Sequence, residues 1–369
     1  MTEHEAFVAF NMLPDVGSVR LSALMARNGG SAAAAWSAVK DKTDWSGKPV
    51  DWKAEIQRAK RQHVTIVTCD DSRYPALLND LPSKPLALYV AGDPKVLSLP
   101  GVAVVGTRLP TLYGSDMAER FASGIAKRGF SVISGLATGI DGEAHKGALA
   151  SGGVTIGVLG GALDKFFPEE HRELGRKIVA SGGAVVSEYP FGFPPGTKTF
   201  PQRNRIVAAL ARGVLAVEAP AQSGTLITCM FAKKLGRKVM AVPANLDSKH
   251  SFGCWKLIRE GAQMVTCADD VIAAVSAGAQ PGGETKAVSP RRKASAPAPS
   301  MPARDDAPTL TLKEAAVLRA LPSTGITLDR LACAVKLPSA AVSAAAISLR
   351  LKKKVRFLPG NRLAPAKVL

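Results

Sequence analysis

Cysteine is scarce and scattered in this chain of 369 residues. There are five, Cys69, Cys229, Cys254, Cys267 and Cys333, with no CxxC pair among them. An odd, dispersed set supports neither a disulfide framework nor a zinc site, so no metal or cofactor is expected. No apolar run approaches the roughly 18 residues of a membrane span. The opening stretch MTEHEAFVAF is acidic and lacks the apolar core of a signal peptide. These absences point to a cytoplasmic protein. Aromatic residues are few, at 5%, against 46% hydrophobic residues, the mix of an ordinary soluble α/β protein. Acidic residues are also short, with 30 Asp+Glu against 48 Lys+Arg and a net charge of +18.

That excess is uneven. Residues 1–100 hold 12 basic and 11 acidic side chains, residues 101–280 hold 20 and 14, and residues 310–369 hold 11 and 2. A basic balance of this kind favours polyanionic partners, nucleic acid first, with solubility as the bland alternative. The charge sits on a recognisable organisation. Residues 1–63 read as a small helical domain in which LPDVGSVRLSALM has the outline of a helix–turn–helix or of a packed αα corner. Residues 64–275 alternate short β-branched runs with amphipathic segments. VAVVG (102–106), FSVIS (130–134), VTIGVLG (154–160), GAVVSE (183–188), VLAVEA (214–219) and KVMAVP (238–243) read as buried parallel strands. The alternation predicts an open, doubly wound, Rossmann-like sheet, mostly parallel. Residues 276–309, rich in Ala, Pro, Gly and Ser, read as a disordered linker. Residues 310–369 read as three helices and a two-stranded wing around LPGN, a winged helix. Its third helix, mostly Ala and Ser, offers little to base edges. Its positive charge falls instead on Lys352, Lys353, Lys354, Arg356 and Arg362.

Doubly wound sheets bind ligands beyond the carboxyl ends of their strands, which directs attention to four turns. After the first strong strand comes GTRLPTLYG, which is neither GxGxxG nor GxxxxGK[ST]. Gly106 allows close backbone approach to an anion, and Thr107 and Arg108 can donate to a phosphate. The bland alternative is a βα turn with a surface arginine. After the second strand, SGLATGIDGEAH places Ser134 and Gly135 where amides can face a ligand, with Asp141 as the expected N-cap. His145 follows one turn later, either an acid–base partner or a packed histidine. In TFPQRNRIVAAL, Asn204 or Gln202 is placed to cap a helix, leaving Arg203 and Arg205 in its first turn. Cations there oppose the helix dipole, which a bound phosphate would reverse and an ion pair with Glu188 or Glu218 would also explain. Phe200 offers a face on which a base could stack. Finally, Ser223, Gly224 and Thr225 in VEAPAQSGTLIT form another glycine turn opening a helix. So many donors along one sheet edge suit a line of phosphates better than a single one.

The series VAVVGTR, SGLATGIDGEAHKGAL, TIGVLGGALDKFFP, SEYPFG, FPQRNRIVAAL, VEAPAQSGTLIT and GRKVMAVPANLD, in this order, closely resembles the DNA-processing protein A (DprA/Smf) family. The likeness covers about residues 64–275. The helical start resembles the SAM-like domain of some members, and the C-terminal module the winged helix of many. The resemblance implies a binding protein and not an enzyme. It would hold single-stranded DNA, protect incoming strands in natural transformation, and load a RecA-type recombinase. It further implies that Gly106, Thr107 and Arg108 hold phosphates. Lys198, Phe200, Gln202, Arg203, Asn204 and Arg205 would continue the track, with Ser223, Gly224 and Thr225 beside it. Members dimerise through the α/β domain, and Trp255, Ile258 and Met264 are candidates for that contact or for ordinary core.

Two rivals stand beside this reading. A Rossmann-like nucleotide phosphoribohydrolase would need a PGGxGTxxE loop, whereas this chain has SGTLIT, with Glu218 before the turn. A duplex-binding regulator driven by the winged helix is supported by charge and opposed by the Ala-rich third helix.

Overall fold

In the computed structural model the described residues are 1–39, 42–246, 248–276, 311–322, 326–335, 337–352, 354–358 and 362–365. They form two compact units, residues 1–284 and 285–369. The first begins with four helices, α1 (Glu3–Asn11), α2 (Ser18–Arg27), α3 (Ala32–Ala38) and α4 (Trp52–Arg61). The rest alternates strand and helix. β1 (Val64–Thr68) and β2 (Ala87–Gly92) come first, then β3 (Gly101–Val105), α5 (Leu112–Lys127), β4 (Ser131–Ser134) and α6 (Ile140–Ala150). β5 (Thr155–Val158), α7 (Arg172–Ala180), β6 (Ala184–Ser187), α8 (Thr199–Leu210) and β7 (Gly213–Ala216) follow. The unit closes with α9 (Gly224–Lys234), β8 (Lys238–Ala241), α10 (Phe252–Arg259), β9 (Gln263–Met264) and α11 (Ala268–Ser276).

The nine strands lie in the order β1-β2-β6-β5-β4-β3-β7-β8-β9. The six expected strands, β3 to β8, are parallel to one another. Two features went unread in the sequence. β1 and β2 pair antiparallel, and β2 pairs antiparallel with β6, giving the sheet an antiparallel edge. The short β9 adds an opposite parallel edge.

Period-two alternation splits the apolar strand residues between two cores. Ala103 and Val105 of β3 face the side covered by α8, α9 and α10, with Ile206, Val207, Cys229 and Leu257. Val102 and Val104 face α5, α6 and α11, with Phe121, Ile125, Ile140 and Val271. Burial on both faces is why these strands read as continuous apolar runs. The N-terminal helices enclose Phe7, Phe10, Leu21 and Trp36, with Phe10 and Trp36 edge-to-face at 5.2 Å. Val8 and Ala59 share a further cluster with Val64, Ile66 and Tyr89. The helical start is thereby packed onto the β1–β2 edge.

The second unit holds α12 (Leu312–Arg319), β10 (Ile326–Thr327), α13 (Leu328–Val335), α14 (Ser339–Leu351), β11 (Val355–Leu358) and β12 (Arg362–Pro365). Val317, Leu331, Val342, Ala346, Leu349 and Leu363 form its core. Its sheet has three strands, β10-β12-β11, one more than the expected wing. Lys352, one of the basic residues expected to serve phosphate contact or protein docking, donates to the buried Glu314 at 2.9 and 2.7 Å. Apart from Ser276, Ala277 to Thr309 of the expected linker lie outside the described residues, as do Lys353 and the side chains of Arg356 and Arg362.

Candidate functional site

The chain leaves β3 for one half of the sheet and returns beside it as β7, so the topological switch point lies between these two strands. Ligands of doubly wound sheets bind there, outside the carboxyl ends. A cavity of about 410 Å³ occupies that position, lined by Gly106, Thr107, Arg108, Gly135, Phe200, Arg203, Asn204, Ser223, Gly224 and Thr225 among others. The four turns singled out in the sequence thus border one space.

The turn after β3 is clamped from β7. Thr107 N–H donates to the Glu218 carbonyl at 2.7 Å, and the buried Glu218 carboxylate accepts from the amide and hydroxyl of Thr111, both at 2.8 Å. Glu218 therefore holds the loop and pairs with neither arginine of α8. Thr107 Oγ1 accepts from Leu109 N–H at 3.2 Å. Held in this way, the turn presents Arg108 to solvent. Its guanidinium lies 5.2 Å from the centre of the Phe200 ring. Among the described residues Arg108 has no carboxylate partner.

The turn after β4 departs from expectation. Ser134 is fully buried and its hydroxyl donates to the Val104 carbonyl at 2.6 Å, away from any ligand. Gly135 N–H donates to Asp141 at 3.1 Å, and Ala137 N–H does so at 3.4 Å. These amides are spent internally, although Gly135 itself borders the cavity. The N-cap of α6 is Gly139 and not Asp141. Its φ of +77° and the 2.4 Å that would separate a Cβ from the Thr107 carbonyl explain the glycine. Burial raises the Asp141 carboxyl's pKa, opposed by the nearby Arg203. His145 is packed. Thr155 Oγ1 lies 2.7 Å from its Nδ1 and also donates to the Val132 carbonyl at 2.7 Å. The one hydroxyl proton is used by that carbonyl, so the network assigns the histidine proton to Nδ1. Burial then pushes the ring down to about 3.

α8 brings the largest correction. It starts at Thr199 with Lys198 at the cap, and neither Asn204 nor Gln202 caps it. Arg203 and Arg205 lie in its second turn, so the dipole argument for their placement fails. Arg203 is 5% exposed, and its Nη1 donates to the carbonyls of Gly135 and Val158. Burial lowers it to about 10, with Asp141 opposing the shift and Arg108 adding to it, and it remains a cation at neutral pH. Arg205 is ion-paired with Glu188, their side chains only 15% and 13% exposed. This is the neutralised alternative. Gln202 accepts from Tyr189 Oη at 3.1 Å. With Arg205 it lines a separate cavity of about 490 Å³ against the N-terminal helices. Lys198 is exposed and borders neither space.

Asn204 and Phe200 stay with the site. Asn204 accepts from Arg203 Nε at 3.2 Å and donates to the Gly224 carbonyl at 3.3 Å, tying α8 to the start of α9. Ser223 caps α9 by accepting from Thr225 N–H at 3.2 Å. A Cβ on Gly224 would meet nothing within 4 Å, so protein packing does not demand that glycine. With Arg108, half-buried Phe200 and the positive end of α9, the cavity is suited to an anion. The sequence reading missed the Glu218 clamp, which becomes visible only once β3 and β7 are known to be neighbours. It also left Phe167 without a role. That ring, 48% exposed, lies 5.6 Å from Phe200.

Of the residues proposed for dimer contact, Met264 is 52% exposed on edge strand β9. Trp255 is half-buried, and Ile258 packs partly against the core. Among the described residues no group of His, Cys, Asp and Glu could hold a metal ion, and no helix is long and apolar enough to cross a membrane.

Residues 65–276 match the family "DNA recombination-mediator protein A", and residues 301–361 match "DprA winged helix domain". Protein Smf of Synechocystis is 40% identical over 226 residues, which are 60% of this chain and 56% of that protein. Protein Smf of Escherichia coli is 41% identical over 207 residues, 56% of this chain and 55% of that one. The chain thus spans a little over half the length of these two relatives. DNA processing protein DprA of Streptococcus pneumoniae is 41% identical over 203 residues, 55% of this chain and 71% of that protein. Its crystal structure superposes with a TM-score of 0.62 at 33% identity, covering 74% of this chain and 98% of the other. A structure of DNA processing protein A from Helicobacter pylori, described for its single-stranded DNA binding mode, has a TM-score of 0.52 at 30% identity. It covers 58% of this chain and 97% of that one.

Proposed function

The chain belongs to the DNA recombination-mediator protein A (DprA/Smf) family, and on that premise we propose that its α/β body grips single-stranded DNA. The observation that carries this reading is the cavity at the switch point, with an unneutralised arginine and an aromatic ring at its mouth. Gly106, Thr107 and Arg108 cradle a phosphate there, Gly224 lets the backbone of α9 approach the strand, and Phe200 supplies a stacking face. The H. pylori relative's described binding of single-stranded DNA supports the reading. Phosphates and aromatic faces are common to every sequence, so binding is sequence-tolerant and strongly salt-dependent.

The finer parts of the proposal are a role in natural transformation, protection of the incoming strand, and loading of a RecA-type recombinase in the cytoplasm. Dimerisation through the α10–β9 edge, with Met264 outermost, would let one strand be held by two grooves, raising avidity without new contacts. Titrating the full chain with fluorescent oligo-dT and with duplex of equal length, at several salt concentrations, tests the core reading. Tighter binding of the single strand, weakening steeply with salt, is expected. Preference for duplex, or no salt dependence, overturns it.

A further inference from the structure

The segment between β6 and α8, residues 188–198, leads into the helix that carries Phe200 and Asn204. Side chains of the N-terminal helical region hold it at three points. At the first, Asn11 Nδ2 at the end of α1 donates to the Glu188 carbonyl at 3.0 Å, and the Glu188 carboxylate pairs with Arg205 of α8. At the second, the ring of Trp45, in the connection from α3 to α4, packs on Phe193 at 5.0 Å. Phe193 stacks on Tyr189 at 4.7 Å, and Tyr189 Oη donates to Gln202 of α8 at 3.1 Å. At the third, Phe191 N–H donates to the buried Glu55 of α4 at 2.8 Å. Beside it, Gly192 N–H donates to Asp164 at 2.9 Å, a carboxylate that Arg58 of α4 grips at 2.6 Å.

Two of these links run the whole way from the helical region to α8, through Glu188 to Arg205 and through Phe193 and Tyr189 to Gln202. The third pins the main chain between them. Both complete links end on the side of α8 away from the switch-point cavity. Gln202 and Arg205 border the cavity of about 490 Å³ against the N-terminal helices, whereas Phe200 and Asn204 border the one of about 410 Å³. A helix moves as a unit, and rigid elements of this kind transmit coupling between sites. A shift imposed at Gln202 and Arg205 therefore moves Phe200 on the opposite side. Held from behind in this way, the ring is in place before any strand arrives, which lowers the ordering cost of binding.

We propose that the N-terminal helical region sets the pose of α8 for strand binding, with Asn11 and Trp45 as positioning residues that act through the 188–193 segment. The proposal rests on the single-strand reading above, and its test keeps the two apart. Full-length Asn11→Ala and Trp45→Ala are titrated with fluorescent oligo-dT, each alone and each combined with Phe200→Ala. Either single variant should weaken binding by about 2- to 30-fold. Stoichiometry and salt slope should stay as in wild type, because no phosphate contact is lost. Trp45→Phe, which keeps a ring against Phe193, should restore the affinity. In the Phe200→Ala background the same substitutions should cost less than about 2-fold, since no ring is left to misplace.

Sites that act independently add to within about that factor, so full additivity with Phe200→Ala would overturn the positioning role. Wild-type affinity in both single variants would overturn it too. So would a reduced binding stoichiometry with unchanged affinity, which marks a lost folded fraction and not a misplaced helix. Wild-type protein that does not bind the strand, or Phe200→Ala that binds as tightly as wild type, would sink the single-strand reading and this inference with it.

Discussion

Arg203 and Arg205 stand two residues apart in one motif, yet the structure uses both internally, and the exposed cation of the site comes from another loop. This makes a sharp contrast between Arg205 and Arg108. Replacing Arg205 by Met leaves Glu188 buried without its counter-ion. Breaking one side of a buried pair costs about 3–5 kcal/mol, and the pair's low exposure of 15% and 13% means little screening discounts that figure. At about 2 °C per kcal/mol for a body of this size, melting falls by about 6–10 °C. Adding Glu188→Gln should recover most of the loss, because a neutral pair no longer strands a charge. Arg108→Ala touches no ion pair, so its stability should stay within about 0.5 kcal/mol of wild type, about 1 °C in melting temperature. Its cost should appear in binding instead. A charge-assisted hydrogen bond is worth about 1.5–3 kcal/mol. One lost phosphate contact also flattens the log–log salt slope by about 0.7. The assays are thermal melting and oligo-dT titration at several salt concentrations, run on both variants. If Arg205→Met flattened the slope while melting unchanged, and Arg108→Ala bound as wild type, the assignment of internal and external cations would be refuted.

Glycines give a second contrast. Gly106→Ala places a methyl 2.4 Å from the Ile140 side chain and should cost about 1–3 kcal/mol of stability. Gly224→Ala meets open space, so melting should hold while single-strand affinity drops; equal behaviour of the two variants in melting would contradict the geometry. A pH scan tests His145, whose buried ring is held at about 3. The unfolded chain binds its proton at about 6.5, so the stabilisation is complete above that pH. It is lost as pH falls toward 3, by at most about 1.4 kcal/mol per unit. His145→Leu should flatten the melting-against-pH curve in that window. The difference between variant and wild type isolates His145 from Asp141, whose raised carboxyl titrates with the opposite sign. In the C-terminal unit, Lys352, Ser348 and Thr311 hold the Glu314 carboxyl down to about 2. Its stabilisation is present above about 4.5 and disappears as pH falls toward 2, so the protection of α12 amides relative to their intrinsic exchange rate should fall in acid. Glu314→Gln should abolish that pH dependence of protection.

Much of the architecture was legible because parallel strands buried on both faces leave an unmistakable mark. Runs such as VAVV at 102–105, separated by amphipathic segments, fix the doubly wound core and hence the edge where ligands bind. The same logic explains what went unread. β1 and β2 form an antiparallel edge, where pairing depends on partners distant in sequence, and β9 is two residues long. The turns were legible because glycine is needed where backbones nearly touch, as at Gly106 and Gly139. Which side of a turn faces a ligand was not, because Ser134 and Gly135 spend their donors on Val104 and Asp141.

The arginines show why charge in a motif does not map directly onto a surface. Taking Gln202 or Asn204 as the cap set the start of α8 four or six residues too late, and so turned two ordinary second-turn arginines, Arg203 and Arg205, into an apparent dipole conflict. Deciding between a phosphate and Glu188 as the partner of Arg205 required a contact across 17 residues, from the end of β6 to α8. A helix at the carboxyl edge of a parallel sheet has one face toward the ligand crevice and another toward neighbouring strand ends. A residue two positions along a helix is rotated by about 200°. Within one motif, Arg203 therefore reaches the carbonyls beneath the crevice and Arg205 the carboxylate on the far side. Among the described residues lining the cavity, the cation left without a carboxylate is Arg108, because its loop belongs to the strand at the switch point and is already clamped by Glu218.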